Sequence, residues 1–104
     1  MIYFKLHKQG EDVILAVADK DALGKKYEGG GMVLDLQAFR SFYEGELAKE
    51  EEIAELLKQC TCANLAGKKA VSVAIDNGFA KSENVVVIGG IPHMQLFRIE
   101  DKKQ

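Results

Sequence analysis

The N-terminal residues alternate between apolar and polar side chains. Positions 2, 4 and 6 are apolar, and the positions after them carry Tyr3, Lys5 and His7. A period of two is typical of a strand with one covered face and one open face. Turn residues follow at 9–12, and the apolar run at 13–18 indicates a strand that is buried on both faces. We therefore predict that the chain opens with a β-hairpin.

Two later segments repeat their apolar residues at helical spacing. The stripe formed by Ile53, Leu56, Leu57 and Cys60 predicts a helix over residues 49–60. Glutamates crowd its first turns, where they suit the helix dipole. Small apolar residues at 66, 70, 73 and 74 predict a second helix, which follows a linker at 61–67 and ends at Asn77 and Gly78.

The other segments are shorter and rich in glycine. A glycine triplet at 29–31 predicts a flexible loop before a third strand at 32–36, and residues 37–45 are expected to be irregular or briefly helical. Towards the C-terminus the pattern predicts a strand at 85–88, a tight loop at 89–93, a strand at 94–99, and a frayed tail with Lys102 and Lys103.

The order of these elements predicts a single α+β domain over residues 1–104. Three strands precede two helices and two further strands, so helices and strands are segregated along the chain. We expect a two-layer sandwich in which two helices pack on one face of a mainly antiparallel sheet of about five strands. The apolar runs are far shorter than the roughly 20 residues that span a bilayer, and the N-terminus lacks a signal-peptide pattern. The sequence therefore predicts a cytoplasmic protein without membrane contact.

The residues that could carry chemistry do not make a complete catalytic or metal-binding motif. Cys60 and Cys62 are expected to be reduced, and neither histidine has metal-ligand spacing to them. Cys62, Asn64 and His93 are the residue types of a nucleophile, an orienting amide and a base, but sequence separation does not establish their contact. We expect no enzymatic activity, no metal site and no cofactor.

A loop near the C-terminus holds the densest cluster of special residues. Gly89 and Gly90 permit a ligand to approach closely, and Pro92 fixes the turn. His93 or Gln95 could then hydrogen-bond a base, a phosphate or a peptide. Because a tight hairpin needs similar residues, a purely structural turn is the alternative.

Two further groups of residues have both a binding and a structural interpretation. Asn64 could contact a ligand, but an asparagine after a helix end commonly caps the next helix. Tyr3, Lys5 and His7 alternate an aromatic ring with positive or protonatable groups, as a surface that stacks bases and meets phosphates requires. A lysine on an exposed sheet edge also discourages aggregation.

Two segments, TCANLAG at 61–67 and IGGIPHMQ at 88–95, resemble the archaeal domain-of-unknown-function family four-two-four. The resemblance extends over nearly the whole chain, because the opening strand pair, the FYEG segment at 42–45 and the acidic helix fall in that family's order. It implies a small cytoplasmic archaeal protein with a two-layer α/β sandwich, labelled a predicted RNA-binding protein associated with translation, and it brings no catalytic residues. The positions that match the family's motifs are Asn64, Gly67, Gly89, Gly90, Pro92, His93 and Gln95, with Tyr43 and Gly45 in its aromatic-glycine segment.

The charge distribution separates two hypotheses for function. The net charge is -2, and residues 44–55 hold six glutamates against one lysine, so the rest of the chain is mildly basic. Our leading hypothesis is a non-enzymatic RNA-binding module associated with translation, with RNA or the ribosome as partner and about 2 to 4 phosphate contacts. The residues expected to contact RNA are Tyr3, Lys5, Asn64, Gly89, Gly90, Pro92, His93 and Gln95. The alternative is a protein-interaction adaptor whose acidic helix at 49–60 docks a basic translation-factor protein.

Overall fold

The computed structural model describes residues 1–97, which form eight strands and three α-helices. The strands are β1 (Ile2–Gln9), β2 (Asp12–Asp19), β3 (Lys26–Gly29), β4 (Met32–Asp35), β5 (Glu46–Ala48), β6 (Cys62–Ala66), β7 (Val86–Ile88) and β8 (Ile91–Leu96). The helices are α1 (Arg40–Tyr43), α2 (Glu50–Leu57) and α3 (Lys68–Asp76), and a 3-10 turn lies at Ser82–Asn84. Among residues 1–97, none of these helices has the length and apolar character needed to cross a membrane.

Six strands form one large sheet in the order β5-β1-β2-β6-β8-β7, and β3 pairs with β4 in a separate sheet. The α+β class is therefore confirmed. The prediction of a mainly antiparallel sheet of about five strands is only partly correct, because β2 and β6 are parallel neighbours at its centre. The predicted hairpin of β1 and β2 is confirmed, with Ile2 opposite Asp19 and Gln9 opposite Asp12.

The central strand β6 occupies the segment that the pattern predicts to be a linker. Thr61 aligns it beside β2, because the backbone N–H of Thr61 donates to the carbonyl of Val13 at 2.8 Å and its hydroxyl accepts the N–H of Val13 at 2.9 Å. On its other side β6 pairs with β8. Ala63 and Leu65 are buried in the core beneath the helices. Tertiary pairing thus makes a strand of residues whose own composition does not favour one.

Helices α2 and α3 pack against each other on one face of the large sheet. The apolar stripe of α2 meets β2 at the core, where Ile53, Leu57 and Leu15 are fully buried. The Glu52 carboxylate accepts the backbone N–H of Lys49 at 3.0 Å and so begins α2 with a capping contact. The helix ends at Leu57, before the predicted residue 60, because the following amides bond back over three residues in a tighter turn.

The opposite face of the sheet is partly covered by the β3–β4 hairpin and α1. Leu34, Leu36 and Tyr43 are buried there against Ala16 and Ala18 of β2. The protein is therefore not a simple two-layer sandwich, since a third layer lies over part of this face. Instead of the predicted flexible loop at 29–31, Gly30 and Gly31 form a tight two-residue hairpin turn, because Gly29 pairs with Met32.

The C-terminal hairpin follows the predicted order of strand, tight loop and strand, but its second strand begins earlier than expected. β8 begins at Ile91, so Pro92 and His93 lie in the strand rather than in the loop. The predicted strand residues 98–99 and the tail with Lys102 and Lys103 lie outside the described residues.

Candidate functional site

A cavity of about 330 Å³ opens on the face of the sheet that carries the β3–β4 hairpin and α1. Its floor is the polar face of β6 and β8. Its two walls are the end of β4 with the residues after it, and the segment around α1. The lining residues are Val33, Leu34, Asp35, Leu36, Phe39, Phe42, Tyr43, Asn64, His93 and Gln95.

The floor of the cavity follows from strand register. Asn64 of β6 lies opposite Gln95 of β8, and Ala66 lies opposite His93. Side chains two residues apart point to the same face of a strand, so three polar groups that are distant in sequence share one surface. Asn64, His93 and Gln95 are the cavity-lining members of the set that the sequence predicts. The alternative role for Asn64 as a helix cap is wrong, because Asn64 lies in the middle of β6.

The wall formed by α1 is tied to β1. The Lys5 ammonium donates a hydrogen bond to the carbonyl of Ser41 at 2.9 Å, and His7 Nε2 donates to the carbonyl of Phe42 at 2.8 Å. The His7 and Phe42 rings are also stacked, with centroids 4.4 Å apart and planes 8° from parallel. These contacts hold a helix of only four residues, too short to be stable alone, against the sheet.

The aromatic residues of this wall differ in exposure. Tyr43 is 5% exposed, and burial raises its pKa to about 12. Phe42 packs edge-on against Tyr43, with ring centroids 5.2 Å apart. Phe39 is 62% exposed, and Val33 on the opposite wall is 57% exposed. Both walls of the cavity therefore present apolar surface that is accessible to a ligand.

Asp35 supplies the carboxylate of the cavity. Its Oδ1 atom accepts the backbone N–H groups of Gln37 at 3.1 Å and Ala38 at 2.8 Å, in the turn that joins β4 to α1. The two bonds fix the orientation of the side chain. Asp35 therefore shapes the turn and adds an acceptor to the cavity lining at once.

His93 is a neutral polar group at neutral pH. It is half-buried in the floor of the cavity, and this burial lowers its pKa below the ordinary value of 6.5. A neutral imidazole has one N–H donor and one acceptor nitrogen. His93 therefore offers both kinds of hydrogen bond without a charge, as do the amides of Asn64 and Gln95.

Other residues that the sequence predicts to contact RNA lie away from the cavity lining. Gly89 and Gly90 form the turn between β7 and β8, and a Cβ on Gly89 would lie 3.0 Å from the backbone nitrogen of Glu28. Pro92 accepts the N–H of Gly67 through its carbonyl at 2.9 Å. In the described structure Gly89 and Gly90 close the hairpin, Gly89 packs it on β3, and Pro92 ties β8 to Gly67.

The open face predicted for β1 is largely covered. Tyr3 packs against the core cluster beneath the β3–β4 hairpin, and Lys5 and His7 bond to α1. These residues support the cavity wall from behind and do not line the cavity.

The cysteines do not join the cavity lining. Cys60 is buried in the helix-side core, and this burial raises its pKa to about 11. Cys62 is half-buried on β6. Within residues 1–97, no group of three or more histidine, cysteine, aspartate or glutamate side chains is placed to hold a metal ion.

The residues predicted to contact RNA do not include the walls of the cavity. Phe39, Phe42 and Tyr43 were available as a signal, because three aromatic residues within five positions are unusual for an exposed connection. Val33 and Asp35 carried no comparable signal, because their position depends on how the β3–β4 hairpin folds over the sheet.

The comparisons with known proteins place the chain in a family. No curated protein matches it. Among solved structures, the crystal structure of an uncharacterized conserved protein from Methanopyrus kandleri is similar, with a TM-score of 0.77 and 26% sequence identity, over 97% of this chain and 94% of that one. A family model described as a protein of unknown function, DUF424, matches residues 6–99, which confirms the resemblance found in the sequence. The chain therefore belongs to the DUF424 family of proteins of unknown function.

Proposed function

We propose that this chain is a non-enzymatic RNA-binding module whose cavity takes one unstacked base of a single-stranded segment. The observation that carries the proposal is the meeting of Asn64, His93 and Gln95 in one cavity with the aromatic rings of the α1 wall. Sequence-specific RNA recognition usually targets unpaired bases, which stack on aromatic side chains and hydrogen-bond through their edges.

The chemistry of the lining suits a neutral, planar, hydrogen-bonding group. The two amides and the neutral imidazole supply donors and acceptors, and Phe39 offers an exposed ring for stacking. The cavity volume of about 330 Å³ falls at the lower end of the range for small-molecule pockets, which is roughly 300–1,000 Å³. One base fits such a space, whereas a duplex cannot present its bases to a concave site.

The positive side chains that contact or belong to α1 already have hydrogen-bond partners, which favours contact with the base over contact with phosphates. Lys5 donates to a backbone carbonyl, and Arg40 bonds the Glu44 carboxylate through two nitrogens at 2.9 and 3.1 Å. Asp35 adds a carboxylate to the lining. We therefore expect weak salt dependence, with a log-log slope of about -1.4 to -2.8 for 2 to 4 phosphate contacts on single-stranded RNA. A slope near zero would contradict an RNA site of this kind.

Binding of fluorescent single-stranded and duplex RNA to the purified protein, followed by anisotropy, tests the proposal. We expect single strands to bind and duplexes to bind much more weakly. Asn64→Ala or Gln95→Ala should weaken single-strand binding about two- to tenfold through a lost hydrogen bond, and Phe39→Ala about fivefold or more through lost stacking. Gln59→Ala is the matched control, because Gln59 is exposed beyond the end of α2 and does not line the cavity. Equal losses in all four variants would refute the cavity as the RNA site.

The link to translation is tested in the native setting. The tagged protein is captured from native-source lysate with and without ribonuclease, and the recovered RNA and proteins are identified. Enrichment of ribosomal or transfer RNA, with loss of the accompanying proteins after ribonuclease, is the result we expect. Recovery of one protein that persists after ribonuclease, without enriched RNA, would favour the adaptor hypothesis instead.

The adaptor hypothesis depends on the acidic helix α2. Some of its glutamates, however, have structural roles within the helix. Glu52 caps the helix through the N–H of Lys49, and Glu55 forms an ion pair with Lys58 at 3.0 Å. Glu50 and Glu51 are exposed in the first turn, where negative charge stabilises a helix. We therefore rank RNA binding first.

A further inference from the structure

Asp35 is the one lining residue of the cavity with a carboxylate side chain in the described part of the chain. Its Oδ1 atom is occupied by the N–H groups of Gln37 and Ala38. Its Oδ2 atom makes no hydrogen bond or ion pair with residues 1–97. Oδ2 is also not buried, because every buried side-chain oxygen or nitrogen of the described residues has a hydrogen-bond partner. Oδ2 is therefore an accessible acceptor on a side chain whose orientation is already fixed.

A carboxylate imposes a different demand on a ligand from an amide. A carboxylate only accepts hydrogen bonds, whereas the amides of Asn64 and Gln95 both donate and accept. A ligand that uses Asp35 must therefore present N–H groups to it. Phosphates and the acceptor-only parts of a base are repelled from this wall.

The four RNA bases differ in how well they meet this demand. Guanine presents two adjacent donors, N1–H and the 2-amino group, beside the O6 acceptor. Both donors can share the Oδ2 atom of Asp35, which is the carboxylate oxygen that Gln37 and Ala38 leave unused, and O6 matches an amide N–H of Asn64 or Gln95. Adenine and cytosine present one amino group beside an acceptor nitrogen, and uracil presents one N–H between two carbonyl oxygens.

We propose that Asp35 makes the cavity selective for guanine, by accepting the N1–H and 2-amino groups of a guanine base while Asn64 or Gln95 donates to its O6 atom. This inference rests on the proposed function, since it names the base that the RNA site takes. Asp35 is then the residue that determines specificity, and the stacking residues of the α1 wall supply affinity for any base.

The test compares RNA heptamers that differ only at the central position, with cytidine at the six flanking positions. The central nucleotide is guanosine, inosine, adenosine, uridine or cytidine, and affinity is measured by fluorescence anisotropy. For the wild-type protein we expect guanosine to bind about tenfold more tightly than inosine, which lacks only the 2-amino group. Adenosine, uridine and cytidine should bind no better than inosine.

Asp35→Asn is the informative variant. The asparagine oxygen keeps the bonds to Gln37 and Ala38, while an NH₂ donor replaces Oδ2 and faces the guanine donors. We expect guanosine binding to fall about tenfold, to the level of inosine, with an unchanged thermal midpoint. Asp21→Asn removes the same charge at an exposed position outside the cavity lining and should leave the preference intact.

Two results would have distinct meanings. If the wild-type protein binds all five heptamers equally, or if Asp35→Asn keeps the preference for guanosine over inosine, then the assignment to Asp35 is overturned while RNA binding stands. If no heptamer binds, and longer single strands of mixed sequence also fail to bind, then the proposed function itself fails.

Discussion

Asp19, at the end of β2, packs against Gly67, the residue between β6 and α3, so closely that a Cβ on Gly67 would lie 2.3 Å from Asp19 Cγ. The Asp19 carboxylate accepts the backbone N–H groups of Lys69 at 2.9 Å and Ala70 at 2.8 Å. It thereby caps α3 from a neighbouring strand. Because this negatively charged carboxylate occupies two amides of the first turn, the N-terminus of α3 is not available to a phosphate group.

Replacing Gly67 with alanine should destabilise the fold strongly. Gly67 has a φ of 114°, which side-chain-bearing residues rarely adopt, and the added methyl group would displace the Asp19 cap. We expect a loss of at least about 2 kcal/mol in the free energy of unfolding, measured by urea denaturation. Gly10→Ala is the matched control, because Gly10 has a φ of 63° but nothing within 4 Å of the added Cβ. Equal losses for the two variants would show that contact with Asp19 contributes nothing.

The burial of His93 predicts a dependence of stability on pH. The pKa of His93 is lower in the folded protein than its ordinary value of 6.5, so the unfolded chain binds more protons in acid. The stability that the neutral imidazole contributes is therefore complete above about pH 6.5 and is lost as pH falls below it. His93→Gln removes this contribution. Urea denaturation between pH 5 and 8 should give a steeper decline for the wild type than for the variant, and parallel curves would contradict the assignment.

The elements that the sequence predicts correctly are those with a strong local pattern. In the β1–β2 hairpin, β1 alternates between apolar and polar residues, β2 is an apolar run, and a polar turn joins them. Helix α2 has a full apolar stripe. By contrast, β6 is the short segment CANLA with the polar Asn64 at its centre, and only its pairing with β2 and β8 makes it a strand. The hairpin strand β3 is short and largely polar, so its pattern resembles that of a loop.

The sequence predicts the polar residues on the floor of the candidate site, but it does not predict the shape of the cavity. Asn64, His93 and Gln95 stand out in the sequence because of their residue types, yet their meeting depends on the register of β6 with β8. The prediction that Gly89 and Gly90 contact a ligand drew on the same signal that a hairpin turn produces. The sequence alone does not distinguish glycines that close a turn from glycines that contact a ligand, because both occur beside polar residues such as His93.

The two cysteines should differ in reactivity. Cys60 is 4% exposed, and burial raises its pKa to about 11, so its reactive thiolate is scarce at neutral pH. Cys62 is half-buried on β6 and is the more accessible thiol. With iodoacetamide at pH 8, we expect Cys62 to be modified first and Cys60 to react only after unfolding in urea. Peptide mapping by mass spectrometry measures both sites, and equal rates in the native protein would contradict the buried position of Cys60.

Charge reversal on α2 separates the RNA-binding proposal from the adaptor hypothesis. Glu50 and Glu51 are the suitable positions, because changing Glu52 would also remove the capping bond to Lys49. The double variant Glu50→Lys with Glu51→Lys should leave RNA binding unchanged or make it slightly stronger, since α2 lies on the face of the sheet opposite the cavity. It should cost about 0.3–1 kcal/mol of stability per position, because lysine opposes the helix dipole.

The control for this variant makes the same change in net charge at another surface. Glu11 and Glu83 are exposed and lie outside α2, so Glu11→Lys with Glu83→Lys tests the effect of charge alone. Both double variants are compared in RNA affinity and in the proteins captured from lysate. If only the α2 variant loses a captured protein while RNA binding is unaffected in both, then α2 is a docking surface in its own right. If only the α2 variant loses RNA binding, then the RNA site does not lie in the cavity, because no residue of α2 reaches it.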